Sequence, residues 1–160
     1  IEFLTNEIAT YNRKVDHLAA ERYPETAVLT QVTGVGNLTA LAYVLTLEDP
    51  RHFVTSRDVG AFLGLVPKRD QSGEIDKQLR NSKTGDRLVL TLLVQSAHYI
   101  LRRKGPDTDL KRYGERIASR GGKIAKRKAV IAVARKLAVL LHALWKTGEV
   151  YDPNRKNCAA

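Results

Sequence analysis

A chain of 160 residues with 43% hydrophobic side chains can bury a core and is too apolar for disorder, and no apolar run nears the roughly 20 residues that span a bilayer. Twenty-seven Lys and Arg against 17 Asp and Glu leave a formal charge of +10, concentrated between Arg102 and Lys136, where thirteen basic residues face three acids. That uneven charge favours a polyanionic partner, nucleic acid first, over a merely basic protein.

The single cysteine, Cys158, cannot form an internal disulfide, and His17, His52, His98 and His142 are too scattered for a structural zinc site. Glu2, Asn6 and Glu7 interrupt the first apolar residues, against a signal peptide. A cytoplasmic protein with no membrane role is the expectation. The chain opens on Ile1 and contains no Met, so further protein is expected upstream.

In chain order, Ile1, Leu4, Ile8, Tyr11, Val15 and Leu18 fall at spacings of 3, 4, 3, 4 and 3, the seam of a coiled-coil-like helix that Pro24 stops. An ordinary amphipathic helix packed on its own domain has the same pattern. From Ala27 to Leu47 two helical patterns flank Gly34-Val35-Gly36. This resembles a helix-hairpin-helix motif, whose glycine turn exposes backbone N–H groups to a DNA phosphate, and a purely structural hairpin of helices is the alternative. Asp49-Pro50 breaks the second helix, and Thr55 or Ser56 caps a short buried one, with Asp58 in its first turn.

The basic loop PKRDQSGEIDKQLRNSKTGDR, Pro67 to Arg87, follows. IDKQL alternates weakly, so a small β-hairpin with residues around Pro67 to Asp70 is expected. Ser82 or Thr84 is read as the cap of a helix from Gly85 to Lys104, with Leu88, Leu92, Leu93, Ala97 and Ile100 as its core face. Gly105-Pro106 ends it, and another helix runs from Asp107 to Arg120. Past Gly121-Gly122, a last helix from Lys123 to Lys146 carries Lys123, Lys126, Arg127 and Lys128 in its first turns and an apolar second half ending at Trp145. The fold class is therefore mainly α, with a helix-hairpin-helix-like element, a loop or β-hairpin around Ser72 and an N-terminal coiled-coil-like helix. The expected divisions are 1–23 for that helix, 24–150 for the domain and 151–160 for a flexible tail.

A serine is a weak nucleophile unless its proton is taken or the developing charge is stabilised. No G-x-S-x-G elbow is present and no histidine lies near Ser72, so acyl chemistry is disfavoured. Phosphoryl transfer develops negative charge that cations stabilise, and Ser72 stands among Lys68, Arg69, Lys77, Arg80 and Lys83. Plain phosphate binding by a hydroxyl fits the same ring.

The order TGVGNLTALAYVLTL, FVTSRDVGAFLGLVPKRDQSG, NSKTGDRLVLTLLVQSAHYIL resembles the C-terminal domain of one group of transposases. These are the insertion-sequence transposases of family one-hundred-and-ten, with its eleven-eleven subgroup and the pilin-gene invertases. The resemblance runs from about Leu29 to Pro153 and rests on the Gly-Val-Gly hairpin, the Gly-Leu-Val-Pro step, Ser-Gly and Ser-Lys-x-Gly together. It implies a bacterial or archaeal enzyme whose N-terminal RuvC-like domain holds magnesium on four acids, a domain absent from this chain, which alone should lack cleavage activity. It implies a coiled coil ending at Ile1 to Arg22, a catalytic serine forming a 5′-phosphoserine bond, a guide (bridge) RNA as partner beside DNA, and self-association as a dimer or tetramer. By position Ser72 matches the nucleophile, and Ser82 matches the serine of Ser-Lys-x-Gly, read as a cap and phosphate contact. Candidate nucleic-acid contacts are Gly34, Gly36, Lys68, Arg69, Lys77, Arg80, Ser82, Lys83, Arg87, Lys123, Lys126, Arg127 and Lys128. The family usually places Leu-Arg where this chain has Val89-Leu90, so a phosphate-facing arginine is missing unless Lys83 and Arg87 compensate. The competing reading is a non-catalytic nucleic-acid-binding or assembly module.

Overall fold

A computed structural model describes the backbone of residues 1–72, 75–81 and 85–154, and side chains outside 67–84. In chain order it contains α1 (Glu2–Arg22), α2 (Thr26–Leu29), α3 (Asn37–Leu47), a 3-10 turn (Pro50–His52), α4 (Ser56–Phe62), β1 (Pro67–Ser72), β2 (Ile75–Asn81), α5 (Arg87–Ile100), α6 (Asp109–Ala118) and α7 (Gly122–Thr147). The mainly α expectation holds. The two strands form one antiparallel hairpin, longer than IDKQL alone indicated.

Helix α7 is the axis on which α2, α4, α5, α6 and the 3-10 turn pack. Its Ala129, Val133, Ala134, Leu137, Ala138 and Leu141 are buried, the small residues letting neighbouring backbones come close. Trp145, expected inside, is half-buried at the edge of this core. Two polar struts cross it. The Tyr43 hydroxyl donates to Ala138 O at 2.6 Å, and burial raises its pKa well above the ordinary phenol value. His142, fully buried, meets Pro50 O through Nε2 at 2.8 Å and Ser56 Oγ through Nδ1 at 2.9 Å. A carbonyl only accepts, so Nε2–H donates to Pro50 O. One histidine of α7 thereby ties down both the break after α3 and the start of α4.

Helix ends follow their caps. Thr55 N–H and Oγ1 both donate to the Asp58 carboxylate, at 3.0 and 2.9 Å, which starts α4 as expected. The cap of α5 differs: Asp86 accepts from Val89 N at 2.9 Å, displacing Ser82 and Thr84 from that role and starting the helix at Arg87. With the start moved, Leu88 turns outward, 57% exposed, and Val89 takes the buried position. The helix also stops early, at Ile100, and Lys111 Nζ donates to Gly105 O at 2.9 Å in the turn that follows. Thr108 caps α6.

Helix α1 packs on α3 and α2 by its C-terminal end, with Ala19 buried there. The seam residues Ile1, Leu4, Ile8, Tyr11 and Leu18 are exposed, so within this chain the ordinary-amphipathic alternative fails for most of α1. Residues 151–154, expected to begin a loose tail, are docked on α6: Tyr151 Oη donates to Asp109 Oδ1 at 2.8 Å, and Pro153 O accepts from Asp109 N at 2.9 Å. Burial and that hydrogen bond push the Tyr151 hydroxyl pKa up. Lys136 Nζ, buried beneath, is balanced by Asp109 at 3.5 Å and the Tyr113 ring at 4.8 Å.

Candidate nucleic-acid interface

The serine-bearing hairpin leaves and re-enters the domain at neighbouring points. Leu63 and Leu65 are buried on the way out and Val89 on the way back. Between them Gly85 crosses the end of α4 so closely that a Cβ there would lie 2.5 Å from Leu63 Cα. The glycine of Ser-Lys-x-Gly therefore has a steric reason: it lets the returning strand pass against α4. Ser72 is at the distal end of β1, paired with Ile75, and Lys77 lies across from Asp70. Lys68, Arg69, Lys77 and Arg80 are on the two strands, so one hairpin carries them with Ser72. Ser82 and Lys83 lie outside the described residues. Arg87 is exposed in the first turn of α5, while Leu90, at the position of the expected arginine, is partly buried against the core.

The glycine hairpin differs from the expectation in one respect: its first helix is a single turn, α2. The turn closes through Val32 N to Leu29 O and Val35 N to Val32 O, with Leu29, Val32 and Val35 buried as its anchor. Gly34 adopts φ +91°, a left-handed conformation, and packs on α5 so tightly that a Cβ would meet Ile100 Cγ1 at 3.1 Å and Ser96 O at 3.2 Å. The first bond of α3 runs from Ala40 N to Gly36 O, and Gly36 has no side chain to cap the helix. The N–H groups of Asn37, Leu38 and Thr39 thus lack intrahelical acceptors, and the helix dipole adds positive potential there. Asp16 of α1 accepts from Asn37 Nδ2 at 2.7 Å, fixing α1 beside this end. In front of it lies an open groove of about 420 Å³, walled by the glycine turn and Thr39 on one side and by Leu92, Gln95, Ser96 and Tyr99 of α5 on the other.

Lys123, Lys126, Arg127 and Lys128 are exposed in the first turns of α7, and none of them lines the groove. The structure thus places the described candidates on the glycine hairpin, the serine hairpin and the basic start of α7, with Arg87 apart on α5. Sequence reasoning missed the α5 wall of the groove. Leu92 reads as part of the core face, Gln95, Ser96 and Tyr99 lie outside it, and only the approach of Gly34 shows what this surface faces. Among the described residues no three His, Cys, Asp or Glu side chains converge as a metal site. Among the described residues no helix is long and apolar enough to cross a membrane.

Residues 26–115 match the family model described as Transposase IS116/IS110/IS902 family. The chain is 36% identical over 121 residues to the transposase for insertion sequence element IS1111A of Coxiella burnetii, covering 75% of the chain and 32% of that protein. It is 35% identical over 131 residues to the putative transposase y4rJ of Sinorhizobium fredii, covering 81% and 32%. A probable family 20 transposase of Pseudomonas aeruginosa is 33% identical over 128 residues, covering 78% and 36%. The chain spans about a third of the length of the curated relatives it matches. The match covers both the glycine hairpin and the serine hairpin, and by it the chain belongs to the IS116/IS110/IS902 transposase family.

Proposed function

We propose that this chain is the DNA-gripping, serine-bearing part of a transposase, acting on DNA with a guide RNA and with a metal-binding domain elsewhere in the full protein. The observation that carries this reading is the position of Ser72 at the end of a hairpin bearing Lys68, Arg69, Lys77 and Arg80, anchored at its base by Leu63, Leu65 and Val89. A rigid base with a charged projection suits a nucleophile that must reach a phosphate held outside the core. In the step proposed, Ser72 Oγ bonds to phosphorus and the bond from phosphorus to the 3′ oxygen breaks. The serine proton is lost to the surroundings, the 3′ oxygen leaves as a hydroxyl, and the 5′ phosphate stays on the serine. The cations on the hairpin offset charge on the non-bridging oxygens.

The glycine hairpin and the exposed start of α7 serve binding without base readout, through backbone N–H groups and side-chain charge. The exposed apolar seam of α1, Ile1 to Leu18, pairs with a second copy, which supports self-association. A purely binding module is the competing reading, because the groove and the α7 lysines need no serine chemistry.

A covalent-trapping experiment separates the two. The full-length protein is mixed with its RNA, magnesium and DNA, then resolved on a denaturing gel. A protein-linked 5′ DNA end that vanishes in Ser72→Ala, with DNA binding retained, is the expected result. Binding without any adduct, in the parent as in the variant, leaves the binding module.

A further inference from the structure

We infer that the groove between the N-terminus of α3 and the middle of α5 seats one backbone phosphate of duplex DNA, with Thr39, Gln95 and Ser96 as its side-chain contacts. The inference rests on the reading of this chain as DNA-binding and adds the wall that completes the site.

Two buried residues with hydroxyls lead to it. Thr39 is 7% exposed and Ser96 is 4% exposed, and both line the groove. A helical Ser or Thr ordinarily satisfies its hydroxyl on the carbonyl one turn back. Thr10, Thr91 and Thr147 do so, donating to Asn6 O, Arg87 O and Ala143 O at 2.8 to 2.9 Å. Among the described residues the hydroxyls of Thr39 and Ser96 have no hydrogen-bond partner. Lys136 Nζ is the one buried side-chain polar atom without a hydrogen-bond partner among the described residues, so both hydroxyls open on the groove, where two donors that no protein group satisfies suit an acceptor-rich ligand.

The rest of the site narrows the ligand. The Thr39 N–H at the start of α3, two hydroxyls and the exposed Gln95 amide offer donors from both walls. No carboxylate lines the groove; Asp16, bonded to Asn37, lies on the α1 side. Arg102 adds positive charge at the rim, its guanidinium 4.7 Å from the centre of the Tyr99 ring. Donors on two walls, positive potential and an open trough suit a phosphate within a longer strand better than a small enclosed metabolite. Duplex follows from Tyr99. Single-strand binders offer aromatic faces on which bases stack. Tyr99 is 46% exposed, but Arg102 stacks over its ring and its Cδ1 lies against Gly34, so a base would have to displace Arg102 to stack on that face. What remains is a grip on the backbone alone.

Fluorescence anisotropy with a short labelled DNA duplex tests this on the 160-residue chain. Gln95→Glu keeps shape at an exposed position and puts a negative charge into the groove. It should weaken binding by about fivefold or more, fivefold being what two like charges about 4 Å apart give when screened as in bulk water. Ser96→Ala should weaken it by roughly three- to tenfold through the loss of one hydrogen bond. Both should melt at the parent temperature. Parent-like binding by both variants overturns the groove. If neutralising Lys126, Arg127 and Lys128 still weakens binding, the DNA-binding reading survives that failure. No duplex binding by the parent chain overturns both. Weakening confined to structured RNA or single-stranded DNA overturns the assignment to duplex.

Discussion

Gly85→Ala tests whether the serine hairpin is anchored by backbone packing. A Cβ at Gly85 would lie 2.5 Å from Leu63 Cα, 2.6 Å from Leu63 C and 2.7 Å from Phe62 O. Carbon atoms in good contact sit at roughly 3.5–4.0 Å, so the two segments must separate by about 1 Å. All three atoms are backbone, and Leu63 is fully buried, so no side-chain tip can swing aside. Overpacking of this kind costs about 1–3 kcal/mol, and an unyielding neighbour places it near 3. For a domain of this size that is a melting temperature lower by about 6–12 °C. Two further glycines calibrate the result. Nothing lies within 4 Å of a Cβ at Gly36, so Gly36→Ala should stay within about 0.5 kcal/mol of the parent. At Gly114 the nearest atoms are Leu101 Cδ2 at 2.5 Å and Val133 Cγ2 at 2.7 Å, both side-chain tips. The helix propensity gained there, about 1 kcal/mol, offsets part of the clash, so Gly114→Ala should fall between the other two. Urea unfolding with an unchanged m-value gives the ordering. Gly85→Ala within about 0.5 kcal/mol of the parent would refute the close pass of the hairpin base against α4.

Asp86→Ala should destabilise the chain by about 1 kcal/mol in the same assay, since Val89 N loses the cap of α5. Acid should act through two other aspartates. The Arg51 side chain holds the Asp49 pKa down to about 2, and the Thr55 N–H lowers that of Asp58. Both folded values lie below the unfolded one near 3.9, so their contribution is full above about pH 4 and is lost as pH falls toward about 2. Melting curves across that window should be flatter for the double variant Asp49→Asn, Asp58→Asn than for the parent. Replacing Lys126, Arg127 and Lys128 by Gln should weaken duplex binding and lower the salt slope by up to about 0.9 for each phosphate no longer neutralised. An unchanged slope would place the start of α7 off the interface.

Local signals carried much of this protein. The 3-4 spacing of α1, the Asp49-Pro50 break, the Thr55 and Asp58 capping pair and the glycines at 34 and 36 all act within a turn or two of chain, so the residues themselves determine them. The alternation of IDKQL was weak, yet its strand forms, because pairing with Pro67–Ser72 supplies what propensity does not. The cap of α5 was misread because Ser82, Thr84 and Asp86 are all good capping residues. Which of them caps was settled by the pass of Gly85 against Leu63, a contact across more than twenty residues of chain. Leu88 and Val89 exchanged faces as a consequence. Composition and motif thus determined the family resemblance, the basic character and the punctuation of the helices. Tertiary structure alone decided that His142 would brace the turn at Pro50, that Tyr151 would dock on α6, and that Thr39 and Ser96, 57 positions apart in the sequence, would face one groove with no partner. Those outcomes depend on which helix surfaces meet, and a periodic pattern identifies a buried face without identifying its neighbour.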